Sequence, residues 1–139
     1  MPVSTTSFKV RTNGNSDMLD ITGEVQEKIS KGNIKEGIAT VFIPGSTASV
    51  STVEYEPGLK KDIPEAMEKI APKNKDYEHH KTWGCDNGSS HVRATLMGPG
   101  KVFPFKDKAL ILGQWQQIVL LDFDTKTRER EVIVQIIGE

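Results

Sequence analysis

The run that most constrains this chain is its last one, Val132-Ile133-Val134-Gln135-Ile136-Ile137, almost unbroken in β-branched side chains. Such residues suit a pleated surface, and a near-continuous apolar strand is expected to be buried on both faces, one of them against another subunit if need be. The preceding runs repeat the theme: Val92 to Met97, Val102 to Phe105, Ala109 to Leu112 and Gln116 to Phe123 each suit strands, separated by turn residues at Gly98-Pro99-Gly100 and, after Phe123, at Asp124 to Thr127. Upstream, Ile38 to Ile43 reads as a buried strand stopped by Pro44-Gly45, and Val50 to Tyr55 resumes the extended pattern. Ser7 to Arg11 and Met18 to Ile21 flank Asn13-Gly14, which predicts a hairpin. Two short helices interrupt the strands. One is expected after Thr22, capped by its hydroxyl and ended at Gly32-Asn33; the other after Asp62, paired with Glu65 as a capping box and stopped by Pro72. Five or more strands following only two helices predict a segregated α+β fold rather than alternating βαβ units. An apolar sheet face too large for two helices to cover points to a closed symmetric oligomer.

Length and composition narrow the classes. At 139 residues the chain fits one domain, 1–139, and 36% hydrophobic with 27% charged residues is the composition of a globular protein. Eighteen Lys and Arg against 19 Asp and Glu leave a net charge of −1, so no bulk positive field recruits nucleic acid. No apolar run is long enough to span a bilayer, and the first residues lack the basic and apolar parts of a signal peptide. A single cysteine, Cys85, permits no internal disulfide. Together these predict residence in the cytoplasm, with neither membrane nor nucleic acid as partner.

Lys73 to Ser90 is polar and aperiodic and reads as a long surface loop, too aromatic for a plain linker. All three histidines, His79, His80 and His91, fall within 13 residues of one another, in a stretch that also holds Cys85, Asp86 and Asn87. Neutral imidazoles ligate divalent metals or move protons near neutral pH, and carboxylates orient them. One reading gathers His79, His91 and a carboxylate, Asp86 or Glu54, in a cleft that binds a metal or holds phosphate. The plainer alternative leaves His79-His80 in solvent and His91 bonded to backbone. Gly45-Ser46-Thr47 and Gly88-Ser89-Ser90 are small hydroxyl stretches able to cradle an anion or to form ordinary turns. Arg93, Arg128 and Arg130 offer planar forks for phosphate or carboxylate, the last two on one sheet face. Trp115 is a core anchor or a flat pocket wall, with Gln116 beside it as a polar liner.

Several of these blocks recur in one family. Gly45-Ser46-Thr47-Ala48, the run from Glu54 to Asp62, Tyr77-Glu78-His79, Ser90-His91-Val92-Arg93-Ala94, Leu112 to Ile118 and Val134 to Glu139 make the chain resemble, in order and over nearly its whole length, the YjbQ-type family, also called the secondary thiamine-phosphate synthase family. The resemblance implies an α+β fold with β-sandwich-like sheets and a homotrimer with polar sites near subunit boundaries. It also implies a weak activity joining a pyrimidine pyrophosphate to a thiazole phosphate, a phosphorylated small-molecule substrate class. Carried across residue by residue, it makes His79, His91 and Glu54 the catalytic group and Ser90, Asn87, Gln116 and Arg130 the substrate liners. His79, His91 and Asp86 become ligands of a divalent metal, zinc if the imidazoles decide and magnesium if the pyrophosphate does. Without catalysis, the same residues would make a trimeric metabolite- or anion-binding protein. In two places the chain departs from the pattern: Gly45 stands where one branch has a histidine, and Asp86 lies one position later than its counterpart.

Overall fold

A computed structural model describes residues 1–139, in two antiparallel sheets and four short helices. The larger sheet has the order β1 (Val3–Thr12), β8 (Arg128–Gly138), β3 (Gly37–Phe42), β5 (Gly100–Lys106), β6 (Ala109–Leu110). The smaller has the order β2 (Asp17–Asp20), β7 (Gln117–Asp122), β4 (Ala48–Val53). Between the sheets lies a core of 16 buried residues. Ala39, Val41, Phe103, Phe105, Val132, Val134 and Ile136 come from the larger sheet, Val50, Ile118 and Leu120 from the smaller, and Val25 and Ile29 from helix α1 (Thr22–Lys31). Each fully buried Ile, Leu or Phe among them contributes about 1.5–3 kcal/mol by leaving water. The back of the smaller sheet forms a second cluster, Met18, Val119, Leu121 and Phe123, covered by Ala94 and Met97 of helix α4 (Gly88–Met97) and by Ile63 and Met67 of helix α2 (Leu59–Ile70).

The α+β class and the sheet-on-sheet packing agree with expectation, and four details do not. The strand buried on both faces is β7, whose Ile118 and Leu120 face the main core and whose Val119 and Leu121 face the second cluster. In β8 only alternate residues are buried, and Gln135 and Ile137 lie exposed on the outer face. The Asn13-Gly14 hairpin does not form: β1 pairs with β8 from Val3↔Ile137 to Thr12↔Arg128, while β2 pairs with β7. Gly14, Asn15 and Ser16 all have positive φ and carry the chain from one sheet to the other, held by Asn15 N–H to the Asp124 carbonyl and Ser16 N–H to that of Asp122. The helices number four rather than two, because Lys73 to Ser90 is no structureless loop. It contains helix α3 (Glu78–Trp83) and the start of α4, and α4 also replaces the strand expected at Val92 to Met97.

The caps differ as well. Thr22 does not cap α1; its hydroxyl donates to Asp20 and accepts the Ile118 N–H, tying the helix to β7. Helix α2 begins before Asp62, and Glu56 caps it by accepting the N–H groups of Gly58 and Leu59. Pro64 is the sixth residue of that helix, past the first turn, so the Lys60 carbonyl is left without its i+4 donor.

Candidate functional site

The site is built where α3 and α4 meet the end of β7. Glycine at position 88 permits the helices to touch there: a Cβ would lie 2.5 Å from that of Tyr77. Tyr77 is buried and donates its hydroxyl to the Pro72 carbonyl, and burial pushes its phenol pKa up. His80 packs edge-on against the Tyr77 ring and accepts the Gly88 N–H at Nε2, 3.0 Å away. That bond leaves Nε2 unprotonated and satisfies one of the open amides at the start of α4. His80 is therefore a structural histidine, which its sequence neighbour is not.

With the two helices so joined, His79 from α3 and His91 from α4 face each other, their ring centroids 4.4 Å apart at 57°. Both line an open hollow of about 520 Å³, walled by Tyr77 and Val92 and rimmed by Lys75, Asp76 and Glu78. Burial and the neighbouring His79 hold the His91 pKa below the ordinary imidazole value, against the opposing pull of the Asp124 carboxylate. His91 is thus neutral at pH 7 and able to accept or donate a hydrogen bond. Beside it, Ser90 is fully buried and its Oγ has no hydrogen-bond partner, and the same holds for Oδ1 of Asn87 at the start of α4. One orphaned amide oxygen and one orphaned hydroxyl at a helix N-terminus are a cost that a ligand or water would offset.

Near His91, close enough for the Asp124 charge to act on it, lies a network of bonded charges. Arg130 grips Asp122 through two bonds of 2.7 and 2.9 Å, and the Thr12 hydroxyl donates to the same carboxylate. The Thr47 hydroxyl accepts from Arg130 and donates to Asp124, which also takes Arg128 and the Thr125 N–H. Burial alone would raise the Asp124 pKa, but the Thr125, Thr47 and Arg128 bonds outweigh it and hold the carboxyl below its usual range. The Asp122 bonds raise the Arg130 pKa further above neutrality. One corner of the guanidinium, Nη1, makes none of these bonds and faces Gly45, where an added Cβ would stand 3.3 Å from it. Gly45 has φ +147°, a conformation that other residues rarely adopt.

Of the residues singled out in sequence, His79, His91, Ser90, Asn87 and Arg130 converge on this end of the molecule. Glu54 and Gln116 do not. Glu54 lines a separate hollow with Asp20, Tyr55, Glu56 and Trp115, and Gln116 bonds the Gly113 N–H and the Thr52 hydroxyl. They lie by the Gln117 end of β7, and the Asp122 end is five residues away, about 17 Å at the usual strand rise. Asp86 accepts from Thr125 on the surface, and no three His, Cys, Asp or Glu side chains of the chain gather as a metal site. The expected ligand set His79, His91 and Asp86 therefore does not form: one chain supplies two imidazoles, short of the three protein ligands of a catalytic zinc.

Residues 6–139 match the family model described as UPF0047 protein YjbQ-like. The chain belongs to this YjbQ-like UPF0047 family. It is 32% identical over 133 residues to a UPF0047 protein of Methanocaldococcus jannaschii, covering 95% of this chain and 93% of that one. To a UPF0047 protein of Archaeoglobus fulgidus it is 37% identical over 119 residues, 86% and 90% of the two chains. Its fold superposes on a YbjQ-like protein of unknown function from Sulfolobus solfataricus with a TM-score of 0.92 at 33% identity, covering 99% of both chains. A hypothetical protein from Aeropyrum pernix gives 0.90 at 33% identity, with 98% and 99% covered. None of these relatives carries a named activity, so the YjbQ-like assignment establishes family and fold and leaves the thiamine-phosphate synthase reaction to be argued separately.

In this YjbQ-like chain the residues that sequence reasoning passed over are Asp122 and Asp124, to which Thr47 of the Gly45-Ser46-Thr47 stretch and Arg130 are bonded. Their signal was present. Asp122 and Asp124 at i and i+2 put two carboxylates on one face at the end of an apolar strand, and Arg128 and Arg130 repeat that spacing in the next strand.

Proposed function

We propose that the protein binds a phosphorylated small molecule in the His79–His91 hollow and, on it, performs thiamine-phosphate synthase-type transfer between a pyrimidine pyrophosphate and a thiazole phosphate. The observation that carries this reading is the pair of imidazoles at 4.4 Å, beside a helix start with unpartnered Ser90 and Asn87. In that reaction the thiazole ring nitrogen attacks the methylene carbon of the pyrimidine, the carbon–oxygen bond breaks, and its electron pair leaves with pyrophosphate. No proton need be removed from the nucleophile. The task for the protein is to hold two heterocycles in line and to donate hydrogen bonds to the leaving oxygens. His79 and His91, with Lys75 at the rim, are the donors on offer in this hollow.

A divalent cation, zinc or magnesium, would find two imidazole nitrogens here and would have to complete its shell from water, phosphate oxygens or a second chain. The reading includes a homotrimer in the cytoplasm. What supports assembly is the outer face of the larger sheet, where Val3, Ile38, Phe42, Val102 and Ile137 are exposed side by side across four paired strands. No helix is long and apolar enough to cross a membrane.

The test is direct. Purified protein incubated with both substrates and either cation is expected to yield thiamine phosphate and pyrophosphate, and His91→Ala to lose that yield. No product with any cation, or full yield from His91→Ala, would refute the transferase reading. The distance of Glu54 from the imidazoles favours a second reading, a non-catalytic metabolite- or anion-binding protein. Saturable binding of pyrophosphate without turnover would select it.

A further inference from the structure

The first turn of α4 has a second hollow on its other side. Ser89 and Arg93, at i and i+4, face it together, whereas Gly88, His91 and Val92 face the imidazole hollow. Its volume is about 220 Å³, and Asn15, Ser16, Glu68, Lys73 and Thr125 complete much of its lining. That is below the roughly 300–1,000 Å³ of pockets for drug-sized ligands, so it suits a small ion or a single terminal group.

We infer that this hollow is an oxyanion site for a phosphate group, free or as the end of a phosphomonoester. Ser89 is 3% exposed, yet its hydroxyl makes no hydrogen bond within the chain and opens into the hollow. Its N–H is likewise left over: the Gly88 N–H goes to His80, and those of Ser90 and His91 both go to the Asn87 carbonyl. A buried hydroxyl and a free amide at the positive end of a ten-residue helix are donors without an acceptor.

The charges agree. Arg93 is buried and bonds the Ala71 carbonyl, the Ser16 hydroxyl and Glu68, which leaves two of its five N–H groups uncommitted. Glu68 is occupied by Arg93 and by the Lys73 N–H, so the negative charge of the hollow is already matched. The Lys73 ammonium is held only by the neutral side-chain carbonyl of Asn15, 2.7 Å away, and supplies an unmatched positive charge at the rim. Ser16 accepts from Arg93 and so retains its own hydroxyl proton for a ligand.

This site is independent of the transferase reading, and its test keeps the two apart. Full-length protein is titrated at constant ionic strength with inorganic phosphate and, separately, with glycerol 3-phosphate, while backbone amides are followed by NMR. Saturable shifts are expected at Asn15, Ser16 and Ser89 in at least one titration. Tighter binding of the ester would name a phosphorylated metabolite as the occupant, and tighter binding of phosphate the free ion. Lys73 is exposed, so Lys73→Ala should fold normally and weaken binding about tenfold; Lys73→Arg should retain it, and His91→Ala should leave these shifts in place. Absence of saturable shifts at these amides, or shifts that Lys73→Ala leaves unchanged, would overturn the inference whatever becomes of the transferase assay.

Discussion

The two ends of β7 carry similar chemistry and use it differently. At the Asp122 end two carboxylates, two guanidiniums and two threonines are bonded to one another, and both acids are buried. At the Gln117 end Asp20, Glu54 and Glu56 surround Trp115, yet all but Glu56 of these are exposed and Trp115 is 67% exposed. A count of carboxylates alone would not favour the Asp122 end. The difference is preorganisation: groups locked by burial and by each other meet a ligand without first losing freedom, and their field acts through less water. That is why the imidazoles near the bonded end are the stronger candidate for chemistry.

The contrast predicts unequal responses to substitution. Asp122→Ala would strand the buried Arg130 charge and should cost about 3–5 kcal/mol in a urea melt, the largest single loss. A cost near that of a surface change would mean that the network is incidental. Asp124→Asn keeps the shape but loses charge-assisted acceptors, and about 1–3 kcal/mol is expected. Because the Asp124 charge pulls the His91 pKa upward, the same variant should move the His91 titration to still lower pH, which ring-proton NMR would read. An upward or absent shift would remove Asp124 from the site.

The pH dependence follows from the same imidazole. The His91 pKa is lowered on folding, so between that value and about 6.5 the unfolded chain binds more protons than the folded one. Its contribution to stability is complete above that window and is lost as the pH falls through it. Melts of the parent against His91→Gln across pH 5 to 7.5 should show a shallower decline in the variant. Smallest of all, Glu54→Gln and Trp115→Ala at the open end should each stay within about 0.5 kcal/mol of the parent. A larger loss there would show that the Gln117 end is built after all, for instance by contact with a second chain.

Much of this was legible in sequence where one residue's environment is set by its own strand. The α+β class, the buried β3 and the core-forming β7 follow from apolar periodicity. Register between distant segments was not legible. Asn13-Gly14 looks like a hairpin turn until the carbonyls of Asp124 and Asp122 take the Asn15 and Ser16 amides and β2 joins the other sheet. The span Val92 to Met97 has the β-branched and apolar residues of a strand, yet Ser90, Ala94 and Met97 also fit a helix face. Tertiary packing on the second cluster decides for the helix, which Gly98 at φ +84° then ends. The same helix explains how His79 and His91 meet across 12 residues, a pairing that needs α3 and α4 joined at Gly88 and His80. Glu54 was placed with them by family resemblance alone, and the strand length of β7 separates them.

One spectrum would weigh the two ends against each other. Histidine ring and tryptophan indole resonances can be followed together while pyrophosphate is added to the intact protein. Shifts of His79 and His91 with an unmoved Trp115 indole are the result expected if the preorganised end binds the anion. A moving Trp115 indole beside silent imidazoles would contradict it and transfer the search to the opposite end of β7.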